Sequence, residues 1–529
     1  MRRYLPLFII VVGILLMAPF WNIQPMLSQG DHGRDLYAGQ AVLRGELPYH
    51  DFWWVYGPLM PYVYSLFYKV LGVSITSLII CKLAFKILAG LMLFLGLRYV
   101  ISIPSAVMAG FWFILFGQDF FFTYNHSAGI AFSMMALWGA LAYLRNANQI
   151  RITLALIACA ITCLIKVNFG LTALAMVLFT VFISDHFVHQ RPFKNSLSLY
   201  VTGALILPIV IIAIYLFFLH GLNLTEIRQC LPYYGDDQPY NSPALVNLKN
   251  FIRITYHNAK SNMFNLTLMF LIIPNVGLAL IGLLRRGWTG KENTTRLFGF
   301  FLISLWYVLN MHEFIKSGVW YRCFWAQPLS IALMFLCIDT AGFVITRWGR
   351  NLVLIIFACI GFWVWTISVH NLNYYKNSPT LPLEHAQRVY IGNQPSWSQT
   401  IIETTHWLKT NLKNNELFLA LPYDCIYYFL TDKRSPTRQL IFFEHIKITQ
   451  DQERSIIKEL EHNQVNYVLI SSRAWAKQEL GLGLLGKTYC PIIGKYIQSH
   501  FEPVTRFGDW TNEPGWAWNH GTMILKRKN

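Results

Sequence analysis

Long apolar runs separated by short polar breaks fill the first 370 residues, and after them the pattern changes to short alternating segments. Runs long enough to cross a bilayer lie near 4 to 21, 76 to 97, 100 to 117, 127 to 144, 152 to 168, 170 to 184, 197 to 219, 263 to 284, 297 to 311, 323 to 345 and 351 to 369. A helical span needs ~20 apolar residues, so this pattern predicts a polytopic α-helical membrane protein with about eleven crossings. The first run, Tyr4 to Phe20, lacks a small-residue cleavage signal and reads as a retained span. Beyond residue 370 charged residues become frequent. There, strand-like Glu416 to Leu421 and Val465 to Ser471 alternate with helix-like Asp451 to His462, the pattern of a small α/β domain. The predicted division is therefore 1–370, spanning and holding a first outer loop at 22–75, and 371–529, an extracytoplasmic domain.

Composition agrees with a bilayer as the main solvent: 55% of the residues are hydrophobic and 13% charged, with a mean hydropathy of +0.40. The net charge of +17 would ordinarily raise nucleic acid as a partner. Here the basic residues fall in short loops, so orientation in the membrane accounts for them and no nucleic acid is expected. A cytoplasmic N-terminus puts Arg2, Arg3, Arg98, Arg145, Arg151, Arg191, Lys194, Arg285, Arg286, Lys291, Arg296, Arg347 and Arg350 inside. An odd number of spans then leaves the C-terminal domain outside, together with the long segments 22–75 and 220–262, so the outer face is where function is expected. Five of the nine cysteines, at 81, 159, 163, 337 and 359, sit in apolar runs as small hydrophobes. Cys425 and Cys490 lie in the C-terminal domain, where an oxidising compartment permits a disulfide. No repeat or glycine-rich phosphate loop supports nucleotide binding.

The densest polar chemistry is in the first outer loop. It reads Asp31-His32-Gly33-Arg34-Asp35-Leu36-Tyr37, then Arg44-Gly45-Glu46-Leu47-Pro48-Tyr49-His50-Asp51-Phe52, then Tyr56-Gly57-Pro58-Leu59. If residues 31 to 44 are helical, Asp31 and Asp35 share a face, with Tyr37 nearby. A partly desolvated carboxylate at a membrane surface can hold a proton more tightly and serve as a base toward an acceptor hydroxyl or amine. The competing reading is an interfacial helix whose acids and arginines merely pair with one another. Asp51 follows Pro48-Tyr49 in a turn, where Asp serves local hydrogen bonding.

These residues resemble the first outer loop of the GT-C glycosyltransferases, in the branch of protein O-mannosyltransferases and the lipid A aminoarabinose transferase. The likeness rests on the opening aspartate, the following tyrosine, the Gly45-Glu46-Leu47-Pro48-Tyr49-His50-Asp51-Phe52 segment, and Gly57-Pro58-Leu59 ahead of an amphipathic aromatic helix ending at Leu71-Gly72. Elsewhere it is a likeness of layout: a long first outer loop, a polytopic core and a C-terminal outer domain. The resemblance implies Asp31 as the catalytic base or acceptor-orienting group, with Asp35 second. Many relatives carry Lys-Pro-Pro-Leu where this chain has Tyr56-Gly57-Pro58-Leu59, so a phosphate contact must come from another residue.

Further polar residues are candidates to supply that contact. Lys166, in Leu164-Ile165-Lys166-Val167-Asn168-Phe169-Gly170, runs against the positive-inside trend and resembles a Lys-x-Asn-x-Gly turn of relatives. A snorkelling lysine is the plain alternative. The segment from His312 to Arg322 adds His312, Glu313, Lys316 and Arg322; Arg322 offers a planar fork to phosphate. The pair His312-Glu313 lacks the second histidine of a zinc-protease helix. Asp119 and His126, flanking spans three and four, and the tyrosines 37 and 56 complete the substrate-binding candidates.

Together these readings predict an inverting glycosyltransferase that moves a hexosyl or pentosyl sugar from a polyprenyl-phosphate donor to a glycan, lipid or protein acceptor. Its setting is the outer face of a bacterial inner (plasma) membrane, among membrane lipids. No cofactor is required, and a divalent metal is an option. The alternative from another class is a polytopic transporter or flippase of cell-envelope precursors, which would place ionisable residues at the bilayer midplane and broken helices in matching halves.

Overall fold

The computed structural model describes residues 4–24, 27–116, 124–231, 246, 249, 291–317, 320–345, 347–376, 384–386, 389–390, 395–475, 483–515 and 520–528. In chain order its helices are α1 (Leu5–Met17), α2 (Asp31–Leu43), α3 (Leu59–Leu71), α4 (Ile75–Leu97), α5 (Ile103–Phe116), α6 (Tyr124–Asn146), α7 (Gln149–Ile165) and α8 (Val167–Ile183). There follow α9 (Leu197–Leu219) and α10 (Leu224–Cys230). Next come α11 (Lys291–Asn310), α12 (His312–Ser317), α13 (Gln327–Ile345) and α14 (Arg347–Lys376). The tail adds α15 (Pro395–Asn411), α16 (Ile426–Thr431), α17 (Gln450–His462) and α18 (Pro491–His500). Among the described residues seven helices are long and apolar enough to cross a membrane, and three shorter apolar ones, Leu5–Phe20, Ile103–Phe116 and Gln149–Ile165, accompany them. The apolar run near 263 to 284 lies outside the described residues.

The chain divides into two compact units. The first comprises Met1–Phe20, Lys82–Ile214 and Tyr240–His370. Its helices approach through small residues, as helices must when lipid supplies no hydrophobic drive to pack them. A Cβ on Gly90 would stand 2.8 Å from the carbonyl oxygen of Gly110, and the reverse distance is the same, so α4 and α5 cross backbone to backbone there. Helices α7 and α8 are separated by one residue, Lys166, whose extended backbone (φ −151°, ψ 105°) ends one helix and caps the next. Gly170 then packs on Cys163, where a Cβ would come within 2.4 Å of the Cys163 nitrogen.

The second unit comprises Trp21–Cys81, Tyr215–Pro239 and Asn371–Asn529, so the segment after α1 packs with the C-terminal sequence. Its sheet contains β1 (Phe418–Leu421), β2 (Tyr467–Ser471), β3 (Phe501–Gly508) and β4 (Gly521–Arg527), in the order β1-β2-β4-β3. Strands β1 and β2 are parallel, and both other pairings are antiparallel. The parallel pair requires a crossover, and α17 lies within it, started by a capping box between Thr449 and Gln452. Ile456 and Leu460 of α17, with Ile493 and Ile497 of α18, join Leu419, Leu421, Val468, Ile470, Met523 and Leu525 in one core. This is the predicted α/β domain, with both predicted strands and the predicted helix in place.

Helix α3 begins after Gly57-Pro58 and ends at Gly72, whose φ of +87° suits a residue without a side chain. It buries Met60, Tyr64 and Tyr68 while leaving Tyr62, Leu66 and Val70 bare at helical spacing, an apolar stripe suited to lipid. Helix α2 sits against α16 and α3 through glycines. A Cβ on Gly33 would meet the Ile426 nitrogen at 2.5 Å and Cα at 2.7 Å, and one on Gly39 the Tyr64 Cβ at 2.7 Å. Because the Gly33 obstacle is backbone, Gly33→Ala is expected to destabilise this unit by ~1–3 kcal/mol, seen as a lower thermal unfolding midpoint of the purified chain.

Candidate functional site

Two polar assemblies contain most of the residues singled out in the sequence, one in each unit. In the second unit the loop helix α2 opens at Asp31, and Arg34 one turn later folds back across its first turn. The Arg34 guanidinium reaches Asp31 Oδ1 at 3.2 Å through one terminal nitrogen and Asp35 Oδ1 at 3.0 Å through the other. Trp54 and Tyr56 stack beneath it, with its central carbon 5.4 and 4.8 Å from their ring centres. Tyr56 thus supplies an aromatic face to the guanidinium.

The two carboxylates are not equivalent. Asp35 is fully buried, and its second oxygen accepts a 3.2 Å hydrogen bond from the Tyr64 hydroxyl of α3. Burial pushes the Asp35 carboxyl up to about 6 although the Arg34 charge pulls the other way. Asp31 keeps 44% of its side chain exposed. Its backbone N–H donates to the Tyr423 hydroxyl at 3.0 Å, and Ser28 donates to the same hydroxyl at 2.7 Å. Burial, and then the nearby Asp31 carboxylate, hold the Tyr423 phenol well above its usual range. Tyr37 is turned to other partners: its hydroxyl accepts from the Ser435 N–H at 3.0 Å and faces Glu46.

The backbone just before Asp31 is held from the C-terminal sequence. The Gln29 carbonyl accepts from Ile426 N–H at 3.0 Å, and the Cys425 thiol lies 3.3 Å from the Gly30 carbonyl. The Gln29 side chain accepts from Arg473 at 2.8 Å, and Arg473 is itself paired with buried Asp424 at 3.1 Å. Cys425 and Cys490 are both buried free thiols.

In the first unit, the one-residue break between α7 and α8 aims Lys166 into a buried network. Lys166 Nζ lies 2.8 Å from Glu313 Oε1, with the two side chains 2% and 5% exposed. It also donates to His126 Nε2 at 2.8 Å, and it stands 3.7 Å above the Trp325 ring. His126 stacks on the same ring at 4.9 Å. Asn168 donates to His312 Nε2 at 2.8 Å and to Glu313. His312 Nδ1 lies 2.7 Å from the Leu309 carbonyl, which fixes Nδ1 as the protonated nitrogen and Nε2 as the acceptor. Arg322 also approaches Trp325, 5.8 Å from its centre, and Lys316 is exposed one turn beyond His312. Asp119 lies outside the described residues, and among those described no group of three or more His, Cys, Asp or Glu side chains converges on a metal position.

The sequence reading therefore named His126, Lys166, His312 and Glu313 without showing that they form one network. It passed over Tyr64, Trp54, Tyr423 and Trp325. Tyr64 had a local signal, as a tyrosine on the buried face of an amphipathic helix; Tyr423 had none.

Neither a family model nor a curated protein sequence matches the chain. Solved structures do. ArnT from Cupriavidus metallidurans in the apo state superposes with a TM-score of 0.58 at 10% identity, covering 98% of this chain and 97% of that one. The same protein bound to undecaprenyl phosphate gives 0.56 at 11% identity over 98% and 97%. An Archaeoglobus fulgidus oligosaccharyltransferase, tethered with an acceptor peptide containing the NVT sequon via a disulfide bond, gives 0.50 at 10% identity over 97% and 74%. The chain has the GT-C fold. Near end-to-end coverage of a GT-C structure means that the polytopic helices and the C-terminal domain both belong to that fold.

The buried Asp35 carboxyl gives the chain an expected pH signature. Below about pH 6 Asp35 gains a proton and loosens its hold on Arg34, so activity is expected to fall as pH drops through that value. Stability should run the other way. The folded-state value is raised, so the Asp35 contribution is fully present below pH ~4 and is lost as pH rises through about 6. Asp35→Asn is expected to show the low-pH rate at neutral pH with no inflection near 6, read from pH–rate profiles of both proteins.

Proposed function

We propose that this chain is an inverting glycosyltransferase that uses a polyprenyl-phosphate-linked sugar. The observation that carries the proposal is the half-exposed Asp31 carboxylate, held by Arg34 at the start of a buried helix whose Asp31 N–H donates to Tyr423, in a chain of GT-C fold. Asp31 takes the proton of an acceptor hydroxyl or amine as that atom attacks the anomeric carbon. The new bond to the sugar forms as the bond to the phosphate oxygen breaks, and the electron pair leaves with the lipid phosphate. Displacement from the opposite side inverts the anomeric centre. Asp35 holds Arg34 in place and does not itself accept the proton, being buried and already bonded through both oxygens.

Lys166, Arg322 and Lys316 are assigned to the donor phosphate. Lys166 is already paired with Glu313, so an arriving phosphate shares that ammonium rather than meeting an isolated cation. His126, His312 and Asn168 hold Lys166 and Glu313 in register. The Trp54 and Tyr56 rings support Arg34. The same reading keeps the N-terminus cytoplasmic and the α/β domain outside, in a bacterial inner membrane, with a glycan, lipid or protein as acceptor.

Asp31→Asn keeps the shape and removes the base, so transfer is expected to fall at least ~100-fold while abundance and membrane insertion persist. Mass spectrometry of envelope lipids, glycans and proteins from cells with the native chain, with Asp31→Asn and with no chain supplies the measurement. A glycosyl group present in the first and missing from the other two supports the proposal. A transporter or flippase would lose its product only with the chain itself, so normal product with Asp31→Asn would sink the transferase reading.

A further inference from the structure

We infer that Tyr423 is a positioning residue for Asp31, so that the C-terminal sequence completes the reactive group. The inference rests on the transferase reading above and adds a residue to it. Arg34 is bonded to Asp31 from within the same helix, three residues on. Such a bond orients the carboxylate relative to α2 but leaves the end of α2 free to move as a whole. A tie from outside the helix is needed, and Tyr423, 392 positions away, provides it.

Two hydrogen bonds converge on its phenol oxygen. It accepts the Asp31 N–H at 3.0 Å and the Ser28 hydroxyl proton at 2.7 Å. The ring is kept from swinging by stacking on Phe443, with centres 5.0 Å apart, and by the backbone of Gly30. A Cβ on Gly30 would lie 2.1–2.4 Å from the Tyr423 ring atoms, so the turn entering α2 rests on the ring with no side chain between them. The phenol thus holds Asp31 by its backbone and the guanidinium by its side chain, leaving the exposed part of the carboxylate for a substrate.

The hydroxyl can be removed without dismantling this packing. Gln29 and Gly30 remain held by Ile426, Cys425 and Arg473, and phenylalanine keeps the ring under Gly30. Tyr423→Phe therefore tests the hydrogen bonds alone. Membranes containing the full chain would be supplied with dilutions of a lipid extract from the source cells as donor, and product would be followed by mass spectrometry. The expected result is a saturated rate roughly tenfold lower, an unchanged half-saturating dilution, and a thermal unfolding midpoint lowered by only a few degrees, well above the assay temperature. A wild-type rate, or a rate loss matched by the fraction of Tyr423→Phe protein unfolded at the assay temperature, would overturn the positioning role. Asp31→Asn in the same assay separates the two claims: an active Asp31→Asn protein refutes the transferase reading, whereas an inactive one beside a fully active Tyr423→Phe refutes only this inference.

Discussion

A single guanidinium sets the character of the first-loop assembly. Arg34 carries one positive charge and faces two carboxylates a helical turn apart, so one of the three groups must stay close to water or hold a proton. The fold resolves this by burying Asp35 and leaving Asp31 at the surface. The Tyr64 hydroxyl and the Trp54 and Tyr56 rings surround the buried side of the arrangement. Without Arg34, Asp35 would lose its cationic partner in the protein interior, and the Asp31 side chain would lose its tie to the first turn of α2.

The network around Lys166 follows a different logic. A lysine and a glutamate buried together gain from each other about what they lose by leaving water, so the pair contributes little net stability. What it does impose is uniqueness. Only one arrangement of α7, α8 and α12 lets Lys166 meet Glu313 and His126 while Asn168 meets His312, and slipping any helix by a residue would strand a charge. The single-residue break at Lys166, with Gly170 pressed against Cys163, gives the lysine its direction.

Much of this was legible in the sequence, and what was not has an identifiable cause. Span positions follow from hydropathy, and the tail strands and helix from their periodicity, because each is a local pattern. Asp31 and Asp35 were paired correctly from spacing alone, since four residues is close to one turn. Tyr37 was expected beside them, but six residues advance a helix by ~600°, and its ring points toward Tyr428 and Ser435 instead. Lys166 stood out as a lysine where the charge rule disfavours one. The pairing of Lys166 with Glu313 and the approach of the Tyr423 phenol to Asp31 are set by folding of distant segments, and no local pattern announces either contact.

The contact between Gly30 and the Tyr423 ring also dictates an order of events during biosynthesis. A ribosome finishes the loop bearing Asp31 long before it makes residue 423, so through most of translation α2 has an open end. The Asp31 carboxylate acquires its final setting only when the late-made strand β1 and helix α16 have left the exit tunnel and folded back. A nascent or prematurely terminated polypeptide can therefore insert its helices in the bilayer while the turn before α2 still lacks its seat on the Tyr423 ring.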